Sequence, residues 1–432
     1  MSNNICVIGM WHLGCVTAAC LAKLGHKVTC FDFDEIVVDN LEKGQLPIHE
    51  PGLDELFSEG KANGNLHFSN DLKKIIPASD FVYVAFDTPV DKNDEIDMSV
   101  INKAFDAIIP LLNKEAVLVI SSQIPIGSSD EIVKKIRKAK KKNEVCYTPE
   151  NLRLGNAINS FMQAERIVFG LSSPAIKERI EHLFSGIKAQ HFFMSLKSAE
   201  MTKHAMNSYL ATMISWSGEI CNLCEKTGAN AIDVIAALKA EKRVSQNAPI
   251  MPGLGFGGGT LARDVQILRK LGKANKINTT MFNAVMESNN ERMNYVADKL
   301  KSILGTLDKK KIAFLGLTYK AGTSTLRRSL ALQVIDQLKS EKIKISAYDP
   351  MVKEKIDDYS HIEICSNAIK AAKDADAVVI TTDWDEFKSL NYLALVKVMK
   401  NPVIVDTKNM LDSSKFNKTK IKYYGVGVGN EE

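Results

Sequence analysis

Short apolar runs rich in β-branched residues alternate with longer stretches of helical period through the first part of the chain. The runs at Ile5–Gly9, Lys27–Phe31, Phe81–Ala85, Val117–Ser121 and Arg166–Gly170 predict strands. Strands separated by helices imply βαβ units and a mostly parallel sheet. The pattern then changes. "SAEMTKHAMNSYLATMISWSGEICNLCEKTGAN" (198–230) predicts one long helix closed by Gly228, with more helical sequence to about Ile303. A second alternating region begins at "KKKIAFLGLTYK" and continues through "KIKISAYDP", "DAVVITT" and "PVIVDT". The expected order is α/β (1–195), helical (196–305), then α/β (306–432). In the long helix, Met206, Leu210, Met213, Ile214, Trp216 and Ile220 spread apolar character over more of the circumference than one flanking domain would cover. That predicts a second buried face, and hence a homodimer.

Composition adds limits. At 432 residues the chain needs more than one core, and its 45% hydrophobic and 25% charged content is that of a globular protein. A formal charge of +5 is too small to argue for nucleic acid. The chain opens directly into "NICVIGM", so no leader is expected, and no apolar run approaches the ~18 residues of a membrane span. Eight scattered cysteines in strand and helix patterns suggest reduced, cytoplasmic usage. Cys221 and Cys224 form a C-x-x-C, but no second ligand pair lies nearby, and buried helix cysteines are the simpler expectation. The Lys-rich "KKIRKAKKKNE" reads as a solvated helix face.

Two stretches carry candidate chemistry. "NICVIGMWHLGCVTAACLAKLGHKVTCFDFD" has the layout of a dinucleotide fingerprint: strand, tight turn, helix, strand, acid. Gly9 makes the turn, Gly14 permits close helix–strand packing, and Asp32 would accept from an adenosine ribose, favouring NAD over NADP. Trp11 occupies the middle glycine position, where a side chain hinders approach to the pyrophosphate. "GFGGGTLARD" (255–264) holds four glycines, whose amides, with Lys320, suit a diphosphate.

Several further stretches carry a resemblance. "GQLPIHEPGLDEL" (44–56), "YTPENLRLGNAI" (147–158), "SAEMTKHAMNSYLA" (198–211), "PGLGFGGGTLARDV" (252–265), "AFLGLTYKAGTSTLRRS" (313–329), "TTDWDEF" (381–387) and "VDTKN" (405–409) resemble, in order and spacing, the UDP-glucose/GDP-mannose dehydrogenase family. The resemblance implies two Rossmann-like doubly wound domains, for NAD and for a nucleotide sugar, joined by a central helical dimerisation region. It implies oxidation of the sugar C6 hydroxyl to a carboxylate in two hydride transfers, with a cysteine holding the aldehyde as a thiohemiacetal and then a thioester. By motif, the catalytic positions are Thr260, Lys203, Asn207, Asp264 and Glu150. Lys203 and Asn207 would position the reacting oxygen, Glu150 and Asp264 the proton and water. Cofactor positions are Gly9, Trp11, Leu13, Gly14, Asp32, Thr88, Gln123, Arg263 and Arg327. Substrate positions, for a UDP- or GDP-sugar, are Asn151, Leu152, Gly255, Phe256, Gly257, Gly258, Lys320 and Lys408. No metal is implied.

The departures cluster in the same motifs. Thr260 replaces the family's cysteine, Leu154 a frequent second glutamate, Gln123 a threonine, Arg263 a lysine and Lys408 an arginine, while Arg328 sits where an acid is common. A threonine hydroxyl is far harder to ionise than a thiol and needs an adjacent base to act as a nucleophile. Three readings follow: a dehydrogenase that stops at the aldehyde or finishes through its hydrate; an NAD-assisted enzyme acting at another carbon, as an epimerase does; or a non-catalytic nucleotide-sugar-binding subunit.

Overall fold

A computed structural model describes the chain apart from residues 1, 89–96, 150–151, 258, 328, 340 and 430–432. It divides into two compact units, Met1–Ala205 and Met206–Glu432.

The first unit is built on eight strands: β1 (Asn4–Ile8), β2 (Lys27–Phe31), β3 (Leu66–Phe68), β4 (Phe81–Val84), β5 (Val117–Ile120), β6 (Val145–Tyr147), β7 (Arg166–Leu171) and β8 (Gln190–Ser195). Their order is β3-β2-β1-β4-β5-β6-β7-β8, parallel except where β7 runs against β6. β4, β5 and β6 are buried at every residue, as strands covered on both faces must be. Along β1 the side chains divide by parity. Ile5 and Val7 enter one core, Cys6 and Ile8 the other. The helix His12–Lys23 is buried continuously from Leu13 to Ala22, which explains its apolar sequence all round. The sequence pattern missed β3, β6 and β8. β3 and β6 are only three residues long, too short for an alternation to register.

The second unit has six parallel strands: β9 (Lys311–Leu315), β10 (Lys344–Tyr348), β11 (Ile362–Ile364), β12 (Ala377–Ile380), β13 (Val403–Asp406) and β14 (Lys422–Gly425). They run in the order β11-β10-β9-β12-β13-β14. Both sheets therefore reverse direction beside their first strand, the place where open α/β sheets leave a crevice for ligands. Ahead of this sheet come helices Ala231–Ala240, Leu261–Ala274, Thr280–Arg292 and Tyr295–Leu304. The long helix Leu196–Thr227 continues from the first unit into the second. It ends at Gly228, whose φ of +76° suits a glycine.

Candidate active site

In the first unit the crevice beside β1 gathers most of the cofactor candidates. Gly9 has φ +94°, and its amide ties the turn to β2 by donating to the Phe31 carbonyl at 3.0 Å. A Cβ on Gly14 would stand 1.7 Å from the Gly9 carbonyl oxygen, so only glycine permits that approach. These two glycines and the acid at the end of β2 fit a dinucleotide. Asp32 accepts from the amides of Met10 (2.7 Å) and Asp34 (3.1 Å), which ties the turn to β2 and leaves further lone pairs outward. Trp11 has φ −99°, so the missing glycine is not needed for backbone conformation, and the residue is 49% exposed. The Leu13 amide donates to the carboxylate of Asp87 at 3.0 Å. Thr88 and Gln123, both buried, are brought together: the Thr88 hydroxyl donates to the Gln123 carbonyl at 2.7 Å.

Two buried glutamates that sequence reasoning gave no role organise the surrounding loops. Glu50, fully buried, contacts His12 Nε2 at 2.9 Å and accepts from the amides of Gly155 (2.9 Å) and Ala157 (2.8 Å). It thus joins the first helix to the segment after "TPENL", where Leu152 is half-buried. Glu200, at the start of the long helix, accepts from Gly127 (2.5 Å) and Ser129 (2.8 Å) and so caps the helix Ser128–Lys138. Burial pushes its carboxyl pKa up, against the pull of those amides. Its motif position, "SAEM", was the only available signal.

In the second unit Asn207 donates its side-chain amide to the Asp264 carboxylate, and both groups are buried. Asp264 lies in the first turn of the helix Leu261–Ala274, where the helix dipole favours a negative charge. Thr260 is the residue before that helix; it is exposed and its hydroxyl makes no capping hydrogen bond. Among the described residues no carboxylate or imidazole is hydrogen-bonded to it. Lys203, also buried, precedes Asn207 by one turn of the same helix. Arg263 is half-buried beside Asp264 in sequence.

The glycine-rich loop is held by two residues of the helix Thr280–Arg292 that no motif flagged. Asn289 clasps Phe256, accepting from its amide at 2.8 Å and donating to its carbonyl at 3.1 Å. Arg292 Nε donates to the Gly253 carbonyl at 2.9 Å. Gly255, at φ +91°, could carry no Cβ, which would meet the Asn289 side-chain oxygen at 2.4 Å. Gly257 is half-buried next in the loop. Glu150, Asn151, Gly258 and Arg328 lie outside the described residues.

Lys320 follows β9, and Lys408 lies two residues beyond β13, so both sit at C-terminal strand ends of the second sheet. Lys320 and Arg327 are exposed. No hydrogen bond among the described residues joins these three. Burial lowers the Lys408 ammonium pKa, opposed by Asp383 and Asp406. Asp349, just after β10, holds the loop after β9 by accepting from Leu317 (2.7 Å) and Thr318 (2.9 Å), and the segment after β12 by accepting from Trp384 Nε1 (3.2 Å). All eight cysteines are free and seven are buried; Cys365 is the exception. No group of three or more metal-ligating side chains occurs among the described residues.

Comparison with known proteins agrees along the whole chain. Residues 3–188 match the NAD binding domain of the UDP-glucose/GDP-mannose dehydrogenase family, 197–291 its central domain and 313–413 its UDP binding domain. The chain is 33% identical over 429 residues to a UDP-glucose 6-dehydrogenase of Rickettsia conorii, covering 98% of this chain and 99% of that one. It is 33% identical over 430 residues to UDP-glucose 6-dehydrogenase TuaD of Bacillus subtilis, covering 98% and 93%. Among solved structures, the UDP-N-acetyl-mannosamine dehydrogenase Cap5O of Staphylococcus aureus superposes with a TM-score of 0.81 at 29% identity, over 98% of each chain. A UDP-glucose dehydrogenase from Pyrobaculum islandicum shares the fold with a TM-score of 0.90 at 24% identity, over 100% of this chain and 98% of that one. The two sheets and the full-length matches lead to one conclusion: the chain belongs to the UDP-glucose/GDP-mannose dehydrogenase family of NAD-dependent nucleotide-sugar dehydrogenases.

Proposed function

We propose that this protein oxidises a UDP-hexose at C6 and releases or only slowly processes the aldehyde. The observation that carries the reading is the contrast within one short stretch: Asp264 is buried and paired with Asn207, while position 260 offers an exposed threonine. NAD, when bound, accepts the hydride. The chain's own residues handle the proton and the oxygen. Asn207, oriented by Asp264, keeps an amide N–H for the C6 oxygen, and Lys203 one turn away opposes the negative charge that develops there. Loss of the C6 hydride, together with transfer of the hydroxyl proton to water, would give the aldehyde.

The second oxidation needs an oxygen or sulfur added to that aldehyde before another hydride can leave. No thiol stands in for the missing one. Seven cysteines are buried, and Cys221 in the long helix has its pKa pushed up to about 11 by burial. The remaining route is the aldehyde hydrate, whose deprotonation Asp264 would have to assist. Lys320, Lys408 and the loop from Gly255 hold the diphosphate in this reading; Thr88 and Gln123 in the first unit, and Arg263 and Arg327 in the second, keep the cofactor roles their motifs imply. Glu150, Asn151, Leu152 and Gly258 keep the roles their motifs imply. The working division is 1–195, 196–305 and 306–432, in a cytoplasmic homodimer.

Product analysis by mass, after incubation with NAD and a panel of UDP- and GDP-sugars, tests this. Aldehyde or its hydrate supports it; rapid and complete carboxylate formation refutes it. A second reading, a nucleotide-sugar-binding subunit without turnover, draws on the Leu13–Asp87 contact and would show binding with no product at all.

A further inference from the structure

The start of the first helix contains a feature that the family reading does not absorb. In a dinucleotide fold the cofactor's pyrophosphate is received by amides at this helix N-terminus. Here the Leu13 amide already donates to a side-chain carboxylate, that of Asp87, at 3.0 Å. Asp87 follows β4, and β4 is the neighbour of β1 across which the strand order reverses. The carboxylate therefore enters the crevice from the side opposite β2. Its residue is exposed, so solvent can reach the carboxylate.

Two anions cannot share one amide without repulsion, and the positive end of the helix favours whichever occupies it. The same turn carries two further constraints. Asp32 already accepts from Met10 and Asp34, and Trp11 stands at the position of closest cofactor approach. The carboxylates of Asp32 and Asp87 thus satisfy the turn's amides from within the chain.

We propose that Asp87 sets the affinity for the cofactor, as an internal anion that competes with the NAD pyrophosphate for the Leu13 amide. Binding of NAD then requires the carboxylate to leave, so the unliganded turn is stabilised and cofactor affinity is held down. The proposal rests on the first unit's acting as an NAD binding domain, but not on the sugar reaction, because its test reads binding alone.

The test is calorimetric titration of the full-length protein with NAD+ and with ADP-ribose, for wild type, D87N and D87A, together with each variant's thermal midpoint. D87N removes the charge at nearly constant volume; D87A removes the group. The expected result is tighter binding of both ligands by tenfold or more in at least one variant, with an unchanged or lowered thermal midpoint. A gain in affinity without a gain in stability separates competition from simple helix capping, whose loss would lower the midpoint without tightening binding. A gain below tenfold in both variants, weaker binding, or no NAD+ binding by wild type and variants at millimolar ligand overturns the proposal. Product formation from sugar would be judged separately.

Discussion

Thr260 and Asp264 sit four residues apart in one loop-to-helix junction and have opposite fates. Asp264 is buried and paired; Thr260 is exposed and unactivated. Loss of a covalent nucleophile costs powers of ten in rate, each worth ~1.4 kcal/mol of barrier. We expect wild-type protein to give close to one NADH per sugar at early times. Thr260→Cys should raise the yield toward two, measured by absorbance against sugar consumed. Two NADH per sugar, formed rapidly by the wild type, would sink this account. The thiols make a second residue-level prediction. Burial pushes Cys20 up to about 12 and Cys221 to about 11, and raises Cys365 as well, with Glu363 adding to it. A raised thiol pKa leaves little thiolate at pH 8, and only thiolate alkylates quickly. Iodoacetamide on the native protein should therefore mark Cys365 first, read by peptide mass, with the other seven following only on unfolding. Early labelling at Cys221 or Cys224 would contradict their packing.

At the scale of elements, loops here are held by single polar side chains from elsewhere in the chain. Asn289 satisfies both backbone groups of Phe256, and each buried group left unpaired costs about 1–3 kcal/mol. Asn289→Ala should thus release the glycine-rich loop at a cost of roughly 2–6 kcal/mol. Hydrogen exchange followed by mass spectrometry checks it: peptides covering residues 252–262 should exchange faster, while β9 to β14 keep wild-type protection. Unaltered exchange in the loop would mean that Arg292 and the glycine backbone suffice. None of this was visible beforehand, because "SNNER" reads as an ordinary polar helix end. Glu50 is the same case. Its motif was legible, but its partners lie at positions 12, 155 and 157.

For the whole molecule, the long helix presents Tyr209 (61% exposed), Trp216 (43%) and Leu223 (61%) at seven-residue spacing, and large apolar side chains aligned this way call for a covering surface. We expect a second copy to supply it. Light scattering should give a dimer mass at micromolar concentration, and Trp216→Glu should shift the mass toward monomer; a wild-type monomer would refute the assignment. By itself the sequence determined what depends on short windows: parallel strands from unbroken apolar runs, the long helix ending at Gly228, the Gly9 turn and Gly14 approach, and buried cysteines. These follow from period, residue shape and backbone freedom, which are local. Only tertiary structure decided that Asp87 caps the first helix across 74 residues, that Glu50 bridges 105 to Gly155, and that Asn289 clasps Phe256 from 33 away. A polar side chain carries no mark of its partner in its own neighbourhood. Its hydrogen bond is set by where the packing of apolar faces brings distant backbone amides, and that packing exists only once the sheets have formed.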